Sequence, residues 1–286
     1  MDEMKRFPAY LFILALAAIS CGSINNYLDP EGPRIDGDCA GGAPCETAPD
    51  TVKVISYNVK FGKKVDTAID ELRTVPYLSR ADIILLQEMD GEGVKAIADS
   101  LDLEYVYYPA SVHSATGRDF GNAVLSKYPI EDFRKVILPH SKPTDDQKRI
   151  AVGATVLAGG LRIRVFSVHT ETFWMNYDMR LEQTDSLVRA VSKEYPHIII
   201  AGDFNTPFGR NVKDIEKSFT ASGFVRANSG VGWTARVLPF GLWKMELDHI
   251  FVKGFEVIRS GKFEEGEASD HVPLWTILKP LPPEQP

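Results

Sequence analysis

The run Ile198-Ile199-Ile200-Ala201-Gly202-Asp203-Phe204-Asn205 constrains this chain most, because an apolar strand there delivers an acid and an amide to its carboxyl end. Consecutive apolar residues followed by Gly read as a buried strand entering a tight turn. A period of two puts Asp203 and Asn205 on one side. The carboxyl ends of strands are where α/β sheets carry their ligands. An Asx turn closing a strand uses the same residue types, so this segment alone does not separate chemistry from turn geometry.

Repetition separates them. Val54-Ile55-Ser56-Tyr57-Asn58 presents Asn58, and Ile83-Ile84-Leu85-Leu86-Gln87-Glu88 presents Glu88. Val165-Phe166-Ser167-Val168-His169 presents His169, and Asp248 lies inside the strand-like segment from Met245 to Val252. Ser269-Asp270-His271-Val272-Pro273-Leu274 opens a last strand with an acid beside a histidine. Each has a local explanation as a strand-end histidine or a capping acid. At the ends of so many separate apolar runs, they point to one site.

Taken in order, these motifs resemble those of the metal-dependent endonuclease/exonuclease/phosphatase superfamily. Ser56-Tyr57-Asn58-Val59 resembles its opening strand, Leu86-Gln87-Glu88 its Gln-Glu pair, and Gly121-Asn122-Ala123-Val124-Leu125-Ser126 its mid-chain strand. Val168-His169-Thr170, Gly202-Asp203-Phe204-Asn205 and Ser269-Asp270-His271-Val272-Pro273 resemble its later motifs, so the likeness covers residues 51–279. It implies an α+β fold of the deoxyribonuclease I type, a four-layer αββα sandwich of two mixed, mainly antiparallel sheets. The wholly apolar strands at 83–86 and 198–201 agree, since such strands need cover on both faces. The resemblance admits His or Tyr at position 169. His is closer to its deoxyribonuclease, sphingomyelinase and phosphatase branches than to abasic endonucleases.

These side chains suit hydrolysis of a phosphate ester. Asn58, Glu88 and Asp270 offer oxygen ligands without a neighbouring cysteine, a set that suits Mg²⁺, or Mn²⁺, over zinc. His271 is a candidate general base for an attacking water, with Asp248 accepting its other ring proton, a pairing the resemblance also implies. Asp203 would orient that water, while Asn205 and His169 would donate to non-bridging phosphate oxygens.

The rest of the chain is consistent with one enzyme domain behind an export device. Without a signal and a tether, the 286 residues leave about 230, enough for one large core and short for two typical domains. Short apolar runs alternate with helical stretches at 65–78 and 176–195, arguing for α/β or α+β architecture. The second stretch holds Arg180-x-x-Gln183, a helical spacing that the superfamily shares. Lys5 and Arg6 precede an apolar run, Phe7 to Ile19, that ends at Ser20-Cys21. The run is short for a membrane span and has the length of a signal h-region. It resembles a bacterial lipoprotein signal, which would leave Cys21 as a diacylated N-terminus anchored at roughly 0.8 kcal/mol per buried methylene. An ordinary secretory peptide is the alternative.

The expected organisation is a signal peptide at 1–20, a lipid-anchored flexible tether at 21–50, the enzyme domain at 51–279 and a disordered tail at 280–286. Cys39 and Cys45 lie in the Gly-, Pro- and Asp-rich tether and would form a small disulfide loop on an exported chain. The expected product is a monomeric lipoprotein facing the periplasm or cell surface.

Substrate is constrained by charge. A net charge of −7 with a pI near 5.5 argues against a duplex-DNA binder, although Arg118, Arg149, Arg210, Arg236 and Lys244 could line a local basic groove. Phe173, Trp174, Tyr177, Trp233, Phe240 and Trp243 flank the motifs and are either core or a pocket wall. A wall would favour a sugar phosphate, inositol phosphate or phospholipid head group. The alternatives are an extracytoplasmic DNA or RNA nuclease and a catalytically silent binding relative.

Overall fold

The computed structural model describes residues 25–38, 47–113, 116–172, 176–191, 195–237 and 243–282. The signal-like run, Cys21, Cys39, Cys45, Phe173, Trp174, Phe240 and the last four residues lie outside these. In chain order the elements are β1 (Ile35–Gly37), β2 (Val52–Asn58), α1 (Val65–Thr74), β3 (Ile83–Met89), α2 (Gly91–Leu101), β4 (Glu104–Val112), β5 (Asp119–Ser126), β6 (Ile130–Ile137) and β7 (Ile150–Ala158). They continue with β8 (Leu161–His169), α3 (Tyr177–Ala190), β9 (His197–Asp203), α4 (Gly209–Thr220), β10 (Val225–Arg226), β11 (Ala235–Val237), β12 (Trp243–Met245), β13 (Asp248–Lys253), β14 (Phe255–Lys262) and β15 (Leu274–Pro280).

Strand alternation sorts the apolar side chains into three interfaces. Val52, Val54, Ile83, Leu85 and Val124 from one sheet meet Ile150, Val152, Val165, Ile199, Ala201 and Ile250 from the other in a central layer. Their strand neighbours face outward. Ile55, Tyr57, Ile84 and Leu86 pack against Ala68 and Leu72 of α1 and Val94 and Ile97 of α2. Phe166, Val168, Ile198, Ile200 and Phe251 pack against Leu187 of α3 and Ile215 and Phe219 of α4. The result is the four-layer αββα sandwich, because strands apolar on both faces need both a facing sheet and a covering helix.

Sheet order places the site. The seven-stranded sheet runs β1-β4-β5-β3-β2-β15-β14 and the six-stranded sheet β10-β13-β9-β8-β7-β6, with β11 and β12 as a separate hairpin. Among the described residues, only β2–β3 and β8–β9 pair in parallel. Those are the strands whose carboxyl ends carry Asn58, Glu88, His169 and Asp203, and the two parallel pairs lie against each other across the central layer.

Some boundaries differ from expectation. Helix α1 stops at Thr74, with Val75 extended at ψ 123°, because Pro76 bars its predecessor from helical geometry. Helix α3 occupies Tyr177–Ala190 within the expected 176–195. Residues 25–38, expected as flexible tether, lie against the domain. β1 pairs with β4, and Tyr27 donates its hydroxyl to Asp119 at 2.8 Å. Lys135, buried on β6, donates Nζ to the carbonyls of Tyr27 (3.1 Å) and Gly32 (2.5 Å). Three residues of strand are too few to show a period, which is why composition alone read this segment as loop. At the other end β15 reaches Pro280, and Leu281 donates its N–H to Gly254 at 2.9 Å, so the ordered chain runs past 279.

His249 points outward from β13 against Phe204 and Phe251, with Nε2 2.7 Å from Thr206 Oγ1. Burial, then the Arg226 charge, holds its pKa down to about 3. The unfolded chain protonates this ring near ~6.5 and so binds more protons between those values, which makes stability fall as pH drops through that window. Denaturant unfolding at about pH 7 and about pH 4.5 should show a smaller loss for His249→Gln than for wild type. An equal loss would assign the acid sensitivity elsewhere.

Candidate active site

Glu88 reaches the site through a backbone irregularity. Strict alternation from Ile83 and Leu85 would carry Gln87 inward and turn Glu88 away. The β3–β5 register slips between Leu86 and Met89, and Glu88 takes φ 58°, a bulge of the kind that re-aims a side chain. Gln87 does go inward, donating Nε2 to Ser167 Oγ at 2.9 Å and Leu85 O at 3.0 Å. Glu88 then turns to Asn58 Nδ2 at 3.1 Å and His169 Nε2 at 3.8 Å.

Asp203 sits in register with His169 of parallel β8 on one side and Asp248 of antiparallel β13 on the other. Gly202 before it has φ 152°, and a Cβ there would stand 1.9 Å from the Val168 carbonyl oxygen, so only glycine fits. Asp203 Oδ1 accepts the Asn205 N–H at 2.9 Å, and Asn205 has φ 48°. The Asx turn is therefore formed and coexists with the site, because Oδ2 stays available. Onto Oδ2 converge Asn58 Nδ2 at 3.0 Å and the Nε2 atoms of His169 and His271, each at 3.7 Å. Asn205 commits one amide N–H to Thr170 O at 3.1 Å and retains the other.

His271 Nδ1 lies 2.8 Å from Asp248 Oδ2. The same carboxylate oxygen accepts the Thr234 hydroxyl at 2.6 Å, and Thr234 Oγ1 in turn accepts the N–H groups of Leu247 and Asp248 at 3.0 Å. Asn228 donates Nδ2 to the Asp248 carbonyl at 3.1 Å. A bridge between Ala235 of β11 and His271 docks the hairpin beside this pair.

Asp270 is placed differently from the other expected residues. Its Oδ2 lies 2.7 Å from Lys60 Nζ at the partly exposed rim. Among the described residues, the His/Cys/Asp/Glu groups close enough to surround an ion are Glu88–His169–Asp203 and Asp203–Asp248–His271. Asp270 belongs to neither. Asn58 turns its amide nitrogen toward the two acids, while its oxygen accepts the Lys60 N–H at 3.0 Å. Of the expected oxygen trio, Glu88 lies beside Asp203, while Asn58 and Asp270 both contact Lys60.

The site is short of positive charge. Burial raises the carboxyl of Glu88, with His271, Arg149 and Asn58 acting the other way. Burial also raises Asp203 to about 7, against the pull of His271. For His271 burial opposes the charged ring, and the carboxylates of Asp248 and Asp203 outweigh it, lifting the ring to about 10. His169 goes the opposite way: burial, then Arg149 and His271, push it well below its usual value. One imidazole is thus held cationic beside two acids and the other neutral.

Several contributors carried no chemical signal in the sequence. Thr234 and Asn228 lie in irregular backbone, with no period to mark them. Asn122, within the mid-chain motif, proves structural: Nδ2 bonds Ile150 O at 3.0 Å and Ser167 O at 3.2 Å, joining the sheets below the site. The cations considered for a basic groove each have a partner of their own. Arg118 pairs with Asp90, Arg149 with Glu171 and Arg210 with Asp214, while Arg236 donates to the carbonyls of Gly266 and Glu264. Lys244 lies 4.2 Å from the Trp233 ring centroid. Trp243 is exposed, and Tyr177 donates to Asp214.

A sequence profile described as "Endonuclease/Exonuclease/phosphatase family" matches residues 55–271. The chain belongs to that family. A UPF0294 protein of Vibrio vulnificus strain CMCP6 is 26% identical over 119 residues, covering 42% of this chain and 40% of that protein. The chain thus spans less than half the length of this curated relative. Among solved structures, an endonuclease/exonuclease/phosphatase from Bacteroides vulgatus is similar with a TM-score of 0.65 at 16% identity, covering 81% of this chain and 100% of that one. A Bacteroides thetaiotaomicron mannosyl-6-phosphatase has a TM-score of 0.56 at 20% identity, covering 79% and 99%. D. rerio TDP2 complexed with single strand DNA product has a TM-score of 0.62 at 15% identity, covering 81% and 100%. At these identities the likeness speaks to the family fold.

Thr234→Val keeps the shape of the side chain but strips Asp248 of a donor and two buried N–H groups of their acceptor. Unfolding should show a loss of about 1–3 kcal/mol. A change under about 0.5 kcal/mol would mean that Thr234 does not hold Asp248.

Proposed function

We propose that the chain is a divalent-metal-dependent phosphate-ester hydrolase acting on small or lipid-derived esters. The observation that carries this reading is His271, bonded through Nδ1 to Asp248 and facing Asp203 Oδ2 with Nε2 at 3.7 Å. Groups at that spacing can both bond one water. His271 Nε2 would take the proton of that water while Asp203 orients it, and Asp248 keeps the ring in the required tautomer. His169 Nε2 and the remaining amide N–H of Asn205 would donate to non-bridging phosphate oxygens as charge develops.

The acids fit a hard cation. Glu88 and Asp203 share Asn58 Nδ2 and are both raised by burial, so a positive charge beside them would relieve what the protein leaves unbalanced. Glu88 and Asp203 would hold Mg²⁺ or Mn²⁺, with Asp270 and Asn58 at the edge of the same field. The ion would neutralise the phosphate and its leaving group and lessen the anionic field that keeps His271 protonated.

Small or lipid-derived esters are preferred over duplex nucleic acid because the net charge is −7 and duplex affinity rests largely on cations, and because Arg118, Arg149 and Arg236 are engaged with Asp90, Glu171 and backbone carbonyls. The mannosyl-6-phosphatase likeness supports a sugar phosphate as a first substrate to try. The proposal extends to location: the signal-like run before Cys21 supports an exported, lipid-anchored protein.

The purified chain should be offered a sugar phosphate, inositol phosphates, sphingomyelin, a generic diester, RNA and plasmid DNA with Mg²⁺. Hydrolysis of a small or lipid ester that stops with a chelator and returns with Mg²⁺ or Mn²⁺ is expected. Cleavage of DNA alone would replace this reading with a nuclease. Glu88→Gln should sharply raise the metal concentration needed for half-maximal rate, because the amide keeps the shape without the charge. His271→Ala should lower kcat about a hundredfold or more with thermal unfolding near wild type. Loss of folding instead would make His271 structural.

A further inference from the structure

Beside the site, on the side of His169 away from Glu88, lies a buried ion pair that the proposed reaction does not use. Arg149 and Glu171 are 5% and 0% exposed, and Arg149 Nη2 donates to Glu171 Oε1 at 3.3 Å. The same carboxylate oxygen accepts the Thr172 N–H at 2.9 Å, and the backbone N–H of Glu171 is fixed by Gln183 Oε1 at 2.8 Å. Phe120 packs on both Arg149 and His169, its ring centroid 5.2 Å from the Arg149 guanidinium carbon and 5.8 Å from the His169 ring. The other guanidinium arm, Nη1, stands 3.3 Å from His169 Nδ1.

That contact has one reading in protons. A guanidinium carries donors and no acceptor and does not lose its proton in a protein, so it can bond only a bare Nδ1. The ring's proton must then reside on Nε2, the nitrogen facing Glu88 Oε1 at 3.8 Å and Asp203 Oδ2 at 3.7 Å. With the opposite tautomer two N–H groups would confront each other in a buried contact while Nε2 turned a lone pair toward two acids. We infer that Arg149, braced by Glu171, is a positioning residue that fixes His169 in the Nε2–H tautomer and so makes it an obligate donor toward the phosphate. This deepens the hydrolase reading and rests on it for the phosphate. Such an arm is the converse of the Asp248–His271 pair: an acid on Nδ1 leaves Nε2 as a base, and a guanidinium on Nδ1 leaves Nε2 as a donor.

The test is a long-range proton–nitrogen NMR correlation on the full chain with ¹⁵N-labelled histidine and Mg²⁺ present, the His169 signals being identified by their loss in His169→Asn. Wild type should show a protonated Nε2 and a bare Nδ1. Arg149→Met removes the donor at similar volume and should give mixed tautomers, with kcat lowered about tenfold or more and KM within about twofold. Arg149→Lys, which keeps one donor, should recover part of the tautomer signature. A protonated Nδ1 in wild type overturns the inference, as does an unchanged tautomer in folded Arg149→Met. Where Arg149→Met does not fold, the wild-type spectrum and Arg149→Lys decide. A chain that hydrolyses no phosphate ester would remove the hydrolase reading without touching the tautomer, which is read in the absence of substrate.

Discussion

The site depends on one carboxylate oxygen, Asp203 Oδ2, being held where strands from both sheets can address it. An amide from β2 and imidazoles from β8 and from the approach to β15 all face it within 3.7 Å. Three conditions make this possible. Gly202 lets the backbone run so close to β8 that a Cβ would stand 1.9 Å from Val168 O, the parallel register aligns His169 with Asp203, and the antiparallel register aligns Asp248 with it. A shift by one residue in either ladder would send the partner to the opposite face of the sheet.

Burying so many acids together is costly unless they are paired or hydrogen-bonded. The protein offsets this partly with groups that touch more than one acid. Asn58 Nδ2 serves Glu88 and Asp203, Thr234 ties Asp248 to two backbone N–H groups, and His271 carries a proton between Asp248 and Asp203. Below them the polar contacts of Asn122, Gln87 and Ser167 close the end of the apolar layer, so the site rests on a hydrogen-bonded floor that joins the two sheets. The charge still unbalanced at Glu88 and Asp203 is the physical reason to expect a cation.

Period and motif reached different depths at different residues. His169, Asp203 and Asp248 continue the inward alternation of Val165, Ile199 and Ile250, so their facing was legible from strand period alone. Glu88 was not: alternation turns it outward, and the bulge that brings it in has no mark in Leu86-Gln87-Glu88 beyond the resemblance of the motif. Asp270 shares a motif with His271, yet Lys60, distant in sequence, occupies its carboxylate. Residues 25–38 lacked periodicity because their attachment runs through a three-residue strand and backbone carbonyls.

By itself the sequence determined which strands are buried on both faces and which ends of those strands bear polar side chains, both of which follow from local periods of hydrophobicity. The layered αββα arrangement came from the resemblance of the motifs, with which the doubly buried strands agree. Only the tertiary structure decided which nitrogen of each histidine faces the acids, that Glu88 and Asp203 form the carboxylate pair, and which partners the arginines beside the motifs take. Those outcomes depend on contacts such as Arg149–His169, Asp248–His271 and Lys60–Asp270, each made between side chains whose separation is set by sheet packing and not by spacing along the chain.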